Sequence, residues 1–219
     1  MRHLIGPIFT ALLTGALALP AAAEFELGVY SGWQTAPASR AEGDRPGGGT
    51  YSESFDWEGR SFEMPLYYGL RGTWWTGERF GWGVEGTHTK VYAPDGARNA
   101  AGFDRFELSD GLNIITLNAL RRWPNRWAGL TPYVGGGLGF AMPHVDVAPT
   151  GGPRTYGFEV TGPAARVFAG ASYAVTERWS VFGEYQATWS DNTADLDGGG
   201  SLETEIVTNA LNLGVSYSF

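Results

Sequence analysis

The residues of this chain with the types and spacing for chemistry are two histidines and a few carboxylates. His144 and Asp146 stand two apart, so on an extended strand both project to one side. That spacing suits a divalent metal, or a base with its orienting carboxylate. His88 follows Glu85 by three positions, and Glu184 lies on a later strand. Gln34 and Thr35 close the first strand as polar contacts for a substrate. Read more plainly, both histidines are interfacial residues above a hydrocarbon belt, and Glu85 and Glu184 are members of a salt-bridged interior with Glu26, Arg71 and Arg166, since buried charges need partners. Asp195, Asp197, Glu203 and Glu205 surround a triple glycine but lack the spacing of a calcium loop, and read as a solvated acidic loop.

The elements that must hold these side chains are strands. In the last stretch Val207, Leu211, Leu213, Val215, Tyr217 and Phe219 share one parity, while Thr208, Ala210, Asn212, Gly214, Ser216 and Ser218 share the other. One greasy face and one small or polar face is what separates lipid from a barrel lumen. The same alternation predicts strands over 25–35, 61–76, 80–92, 106–122, 130–147, 156–175 and 179–190, with a loop over 36–60. In the fourth of these Leu112 and Ile114 fall on one parity and Ile115, Leu117 and Ala119 on the other, which predicts a bulge there. The fold class expected is all-β: an eight-stranded antiparallel up-and-down transmembrane β-barrel, with short turns at one end and long loops at the other. Eight strands leave an interior that side chains can fill, and Tyr30, Tyr67 and Tyr133 point inward, against an open channel.

Composition agrees with this layout. Residues 1–23 combine Arg2, an apolar run and a small-residue stretch, the pattern of a signal peptide, leaving 24–219 as the barrel domain. No later segment has the ~18 consecutive apolar residues that a spanning helix needs. Aromatics make up 14%, with 9 Trp, and there are 33 glycines, which fits aromatic girdles around a narrow barrel. Cysteine is absent, so thiolate chemistry and disulfides are excluded. A formal charge of −8 without a basic cluster argues against nucleic acid as a partner.

Several segments together resemble the outer-membrane lipid A oxidase family: SGWQTAPAS over 31–39, GLRGTWW, FELSDGLNIITLNALRRWP, TPYVGGGLGFAMPHVDV, ERWSVFGEYQ and the closing DLDGGGSLETEIVTNALNLGVSYSF. The resemblance spans nearly all of 24–219. It departs from the family at Ala38, where a histidine is common. It implies a monomeric enzyme of the bacterial outer membrane that takes lipid A, within lipopolysaccharide, as substrate. The reaction implied is oxidation of the proximal glucosamine to 2-aminogluconate, with molecular oxygen as co-substrate and a divalent metal ion as an aid. Position then nominates His144 and Asp146 as metal ligands or base pair, His88 and Glu85 as further catalytic groups, and Gln34, Thr35 and Glu184 as substrate contacts. The alternative is a non-enzymatic structural or adhesin-like barrel.

Overall fold

The computed structural model describes residues 24–219, so the leader expected over 1–23 lies outside the described residues. Side chains are described for all of these except 109 and 110. The strands are β1 (Glu24–Thr35), β2 (Ser39–Asp44), β3 (Thr50–Phe55), β4 (Tyr68–Thr76), β5 (Phe80–Tyr92), β6 (Phe103–Arg122), β7 (Leu130–Pro149), β8 (Thr155–Phe158), β9 (Gly162–Ala174), β10 (Trp179–Asp195) and β11 (Ser201–Ser218). A short helix, α1 (Asp95–Ala100), sits between β5 and β6. Eight strands form the staves in the order β1-β4-β5-β6-β7-β9-β10-β11, and antiparallel pairing of β11 with β1, from Leu27↔Tyr217 to Thr35↔Asn209, closes the barrel. The expected fold class is therefore what the chain adopts.

Alternation dictates the wall. Leu27, Val29 and Trp33 of β1, Leu70 of β4, Trp82 and Val84 of β5 and Leu211, Leu213 and Val215 of β11 are exposed, while Gly28, Tyr30, Gln34, Arg71, Glu85 and Asn212, on the other parity, are buried. Such an apolar exterior, girdled by aromatics, is a surface for lipid. At the end carrying Glu24 and Phe219, Trp74 stacks on Trp82 at 4.5 Å and meets the tilted ring of Phe25 at 4.8 Å, forming an aromatic girdle. Short turns connect the staves at that end, and the longer connections gather at the other, the extracellular end of such a barrel.

The interior has two layers. In the lower layer Tyr30, Tyr67 and Tyr133 surround a cluster of buried charges, and above it an apolar core holds Phe55, Val91, Phe103, Phe106, Leu112 and Ile114. Phe106 packs 4.9 Å from both Phe55 and Phe103.

Three expectations change. The loop expected over 36–60 contains the β2–β3 hairpin, which continues the wall by pairing Glu42 and Ala41 with Glu203 and Thr204 of β11. Its inward side (Ala41, Tyr51, Phe55) is buried, and its other side is polar, which made it read as loop. The second stave begins at Tyr68 and not near Ser61, because Pro65 has no N–H to give to a ladder. The 61–67 segment instead bulges outward, exposing Phe62, Met64 and Leu66. It is held to the wall by Ser61, whose Oγ accepts from the Gln34 N–H at 2.8 Å, and by the Glu63 and Tyr67 carbonyls, which accept from Lys90 Nζ and Ser31 Oγ at 2.7 Å. The bulge of β6 lies between Glu107 and Leu112, upstream of the place expected. Leu112 and Ile114 need no parity break, since they face the upper apolar core.

Candidate functional site

The polar residues of the staves separate by face. On the lumen side Glu85 and Glu184 converge on Arg71. The Arg71 guanidinium donates to Glu85 at 2.7 and 3.2 Å and to both oxygens of Glu184 at 2.8 Å. Glu85 further takes Arg166 at 2.5 Å, the Asn118 amide at 3.0 Å and the Tyr30 hydroxyl. Both carboxylates are fully buried as side chains. Each of their oxygens has at least one donor, so they plug the barrel and present no charge to its outer surface.

Gln34 is likewise inward and does structural work. Above Tyr68 the β4 stave has ended, and the Gln34 amide bridges the gap by donating to the Lys90 carbonyl at 2.8 Å and accepting from the Lys90 N–H at 3.0 Å. Thr35 is exposed at the top of β1, opposite Asn209.

His88 points the other way, to the lipid side of β5. Its ring stacks on Tyr68 at 5.2 Å, and its Nδ1 lies 3.1 Å from Oδ1 of Asn113. The Asn113 amide donates to the Met142 carbonyl at 3.2 Å, so the side chain is fixed across two strands. The bulge of β6 makes this possible at Gly111, whose φ is +111°. A Cβ there would fall 2.4 Å from His88 Nδ1 and 2.6 Å from Asn113 Oδ1, so only glycine leaves the two groups room to meet. Below them a groove of about 390 Å³ runs down the wall past Leu70, Gly86, Ile115, Met142 and Phe158.

His144 stands on the same outer side of the wall, higher on β7. The β8 segment covers it: Tyr156 and Phe158 meet its ring edge-on at 4.3 and 4.7 Å. Phe158 also lines the groove at His88, so one aromatic ring links the surroundings of both histidines. Asp146 does not share in this. Its oxygens accept from Arg154 twice at 2.7 Å and from Arg105 at 3.2 Å. Burial pushes the Asp146 carboxyl up, but Arg154 and Arg105 outweigh it and hold the group below the usual aspartate range. A carboxylate so engaged by guanidiniums does not fit a metal ligand, and among the described residues no three His, Asp or Glu side chains gather in a cation-holding group.

The structure thus brings His88 and His144 into one lipid-side neighbourhood, and sends Glu85, Glu184 and Gln34 to the interior. Asn113 and Tyr68 are the functional candidates that sequence reasoning passed over. A signal existed for Asn113: it shares the lipid-facing parity of Ile115 and Leu117, where an amide is out of place.

A family model for the outer membrane protein beta-barrel domain matches residues 9–219. Among solved structures, the crystal structure of Neisserial surface protein A is similar with a TM-score of 0.51 at 18% identity, over 89% of this chain and 97% of that one. The solid-state NMR structure of the outer membrane protein AlkL in lipid bilayers is similar with a TM-score of 0.53 at 15% identity, over 100% of this chain and 97% of that one. These likenesses speak for the fold. No curated protein sequence matches the chain.

Proposed function

The chain belongs to the outer membrane protein beta-barrel domain family, and from that membrane location we propose that it acts on lipid A, oxidising the proximal glucosamine to 2-aminogluconate with molecular oxygen. The observation that carries this reading is the His88–Asn113 pair on the lipid-facing wall, near its extracellular end. Polar side chains on a lipid-facing surface are rare and mark functional sites even where, as here, they pair with one another. The outer leaflet presents the sugar headgroup of lipid A to them.

In the reaction the hemiacetal carbon of the proximal sugar gives up two electrons, and its hydroxyl and carbon-bound hydrogens leave as protons. Oxygen takes both and departs as hydrogen peroxide, and water opens the resulting lactone to the acid. In this reading His88 takes the hydroxyl proton, and Asn113 fixes its ring. Tyr68 sets the ring plane from the neighbouring strand by stacking. His144 and Thr35 are more distant contributors, at the height where the headgroup continues outward.

A second reading, a structural or adhesin-like barrel, is favoured by a different observation: the buried lumen charges Arg71, Glu85, Glu184 and Arg166 pair with one another, and Asp146 is held by arginines. Mass spectrometry of lipid A from cells expressing the chain, grown with and without oxygen, separates the two. A gain of one oxygen on the proximal sugar in aerobic cells only is the expected result. Unchanged lipid A beside a folded, heat-modifiable barrel would leave the structural reading.

A further inference from the structure

Strand β5 carries a glycine that neither backbone nor packing requires. Gly86 lies between Val84 and His88 on the lipid side, and a methyl group added to it would meet no atom within 4 Å. Other lipid-side glycines are crowded by comparison. Gly72 would meet the Phe25 ring at 3.3 Å and Gly136 the Arg166 carbonyl at 3.0 Å, while Gly183 would be in ordinary contact with Leu213 at 3.7 Å. Glycine weakens a strand, and an open lipid-facing position would accept a large apolar residue. What Gly86 supplies is the missing side chain: a notch in the wall.

The register shows what surrounds it. Leu70 and Ile115 pair with Gly86 on either side, and one row further out Tyr68 and Asn113 pair with His88. Met142, opposite Asn113, and Phe158 complete the groove. Polarity therefore changes along it, from aliphatic at the notch to imidazole and amide at its outer end. An amphiphile with a polar linkage directly above an alkyl chain matches that order. In a membrane, hydrophobicity alone selects no lipid from its neighbours, so shape and hydrogen bonds must do it.

Resting on the lipid A reading above, we propose that the Gly86 notch seats one acyl chain of lipid A, whose amide or ester linkage and sugar lie against Asn113 and His88. The notch then decides which sugar of the lipid reaches the histidine and which chain fits beneath it.

The experiment is native mass spectrometry of the purified full-length barrel offered lipid A and phosphatidylethanolamine together. It uses the wild type, Gly86→Ala and Gly86→Leu, each checked for heat-modifiable folding. The wild type is expected to retain lipid A, Gly86→Ala to retain less, and Gly86→Leu to fall by about tenfold or more, the scale on which a shaped pocket rejects added methylenes. Gly86→Leu retaining as much lipid A as the wild type would overturn the seat, as would equal retention of the phospholipid by the wild type. Retention lost in folded Gly86→Leu while lipid A in cells never gains oxygen would uphold the seat and remove the oxidase reading.

Discussion

Arg71 is the residue on which the lumen closes. It is buried among the staves, shares Glu85 with Arg166 and is the cation that meets Glu184. Removing it leaves Glu184 charged in a dry interior, the situation in which losing one partner of a buried pair costs about 3–5 kcal/mol. Arg71→Met should therefore lower the urea midpoint of the refolded barrel, followed by tryptophan fluorescence, and adding Glu184→Gln should restore much of the loss. An unmoved midpoint in Arg71→Met would show that the network contributes nothing. Glu85 and His88 provide the matching contrast, three residues apart on β5 but on opposite faces of the wall. His88→Ala should cut the oxygen gain of lipid A by about 10²-fold or more, as loss of a proton-transfer group does, and leave the urea midpoint in place. Glu85→Gln should shift the midpoint and touch the chemistry only through folding. Mass spectra and denaturation curves of the same preparations tell the two outcomes apart.

The extracellular extension of β7 with β8 behaves as an element of its own, tied by Asp146. Arg105 and Arg154, both half-exposed, hold its carboxylate, and Asp146 pairs across β7 with Tyr156. Glu107 lies opposite on β6, where burial and the neighbouring Asp146 push its carboxyl up. The two carboxyls thus respond to acid with opposite sign. Asp146, held low, contributes stability above the ordinary carboxylate range and loses it as pH falls through its lowered value; Glu107, held high, protonates first and is eased by doing so. Amide exchange at Tyr156 and Gly157 should stay slow on acidification to about pH 4 and quicken below that. Asp146→Asn should remove this acid step and weaken protection at neutral pH by ~1 kcal/mol, a modest figure because its partners are solvated. Acid sensitivity unchanged in that variant would assign the step to other groups.

At this scale the staves were legible because lipid and lumen demand different residues at alternate positions. The β2–β3 hairpin was not, since it has solvent on one side and a covered core on the other, and its charged outer side, with Gly47 to Gly49 in the turn, looks like loop. The candidate site was half legible. Parity alone placed His88 and His144 outward and Glu85 and Glu184 inward. Which groups meet depends on the β6 bulge at Gly111 and on β8 folding over His144, and both arise from register, which a single strand does not encode.

For the whole molecule, the two interior layers act in series. The lower one is polar, with Arg71, Glu85, Glu184 and Arg166 bridged across the lumen, and the upper one is apolar, with Phe55, Phe103, Phe106 and Ile114 packed together. Ions crossing the barrel would have to break the first and then enter the second without hydration, and either step is prohibitive alone. The barrel should therefore give no discrete conductance steps in a planar bilayer. Arg71→Met should give none either, because it opens only the lower layer. A variant placing polar residues in the upper layer as well, Phe106→Ser with Ile114→Ser on the Arg71→Met background, should begin to conduct if it still folds. Steps in the wild type would overturn the arrangement in series, and would turn attention from the outer wall back to the lumen.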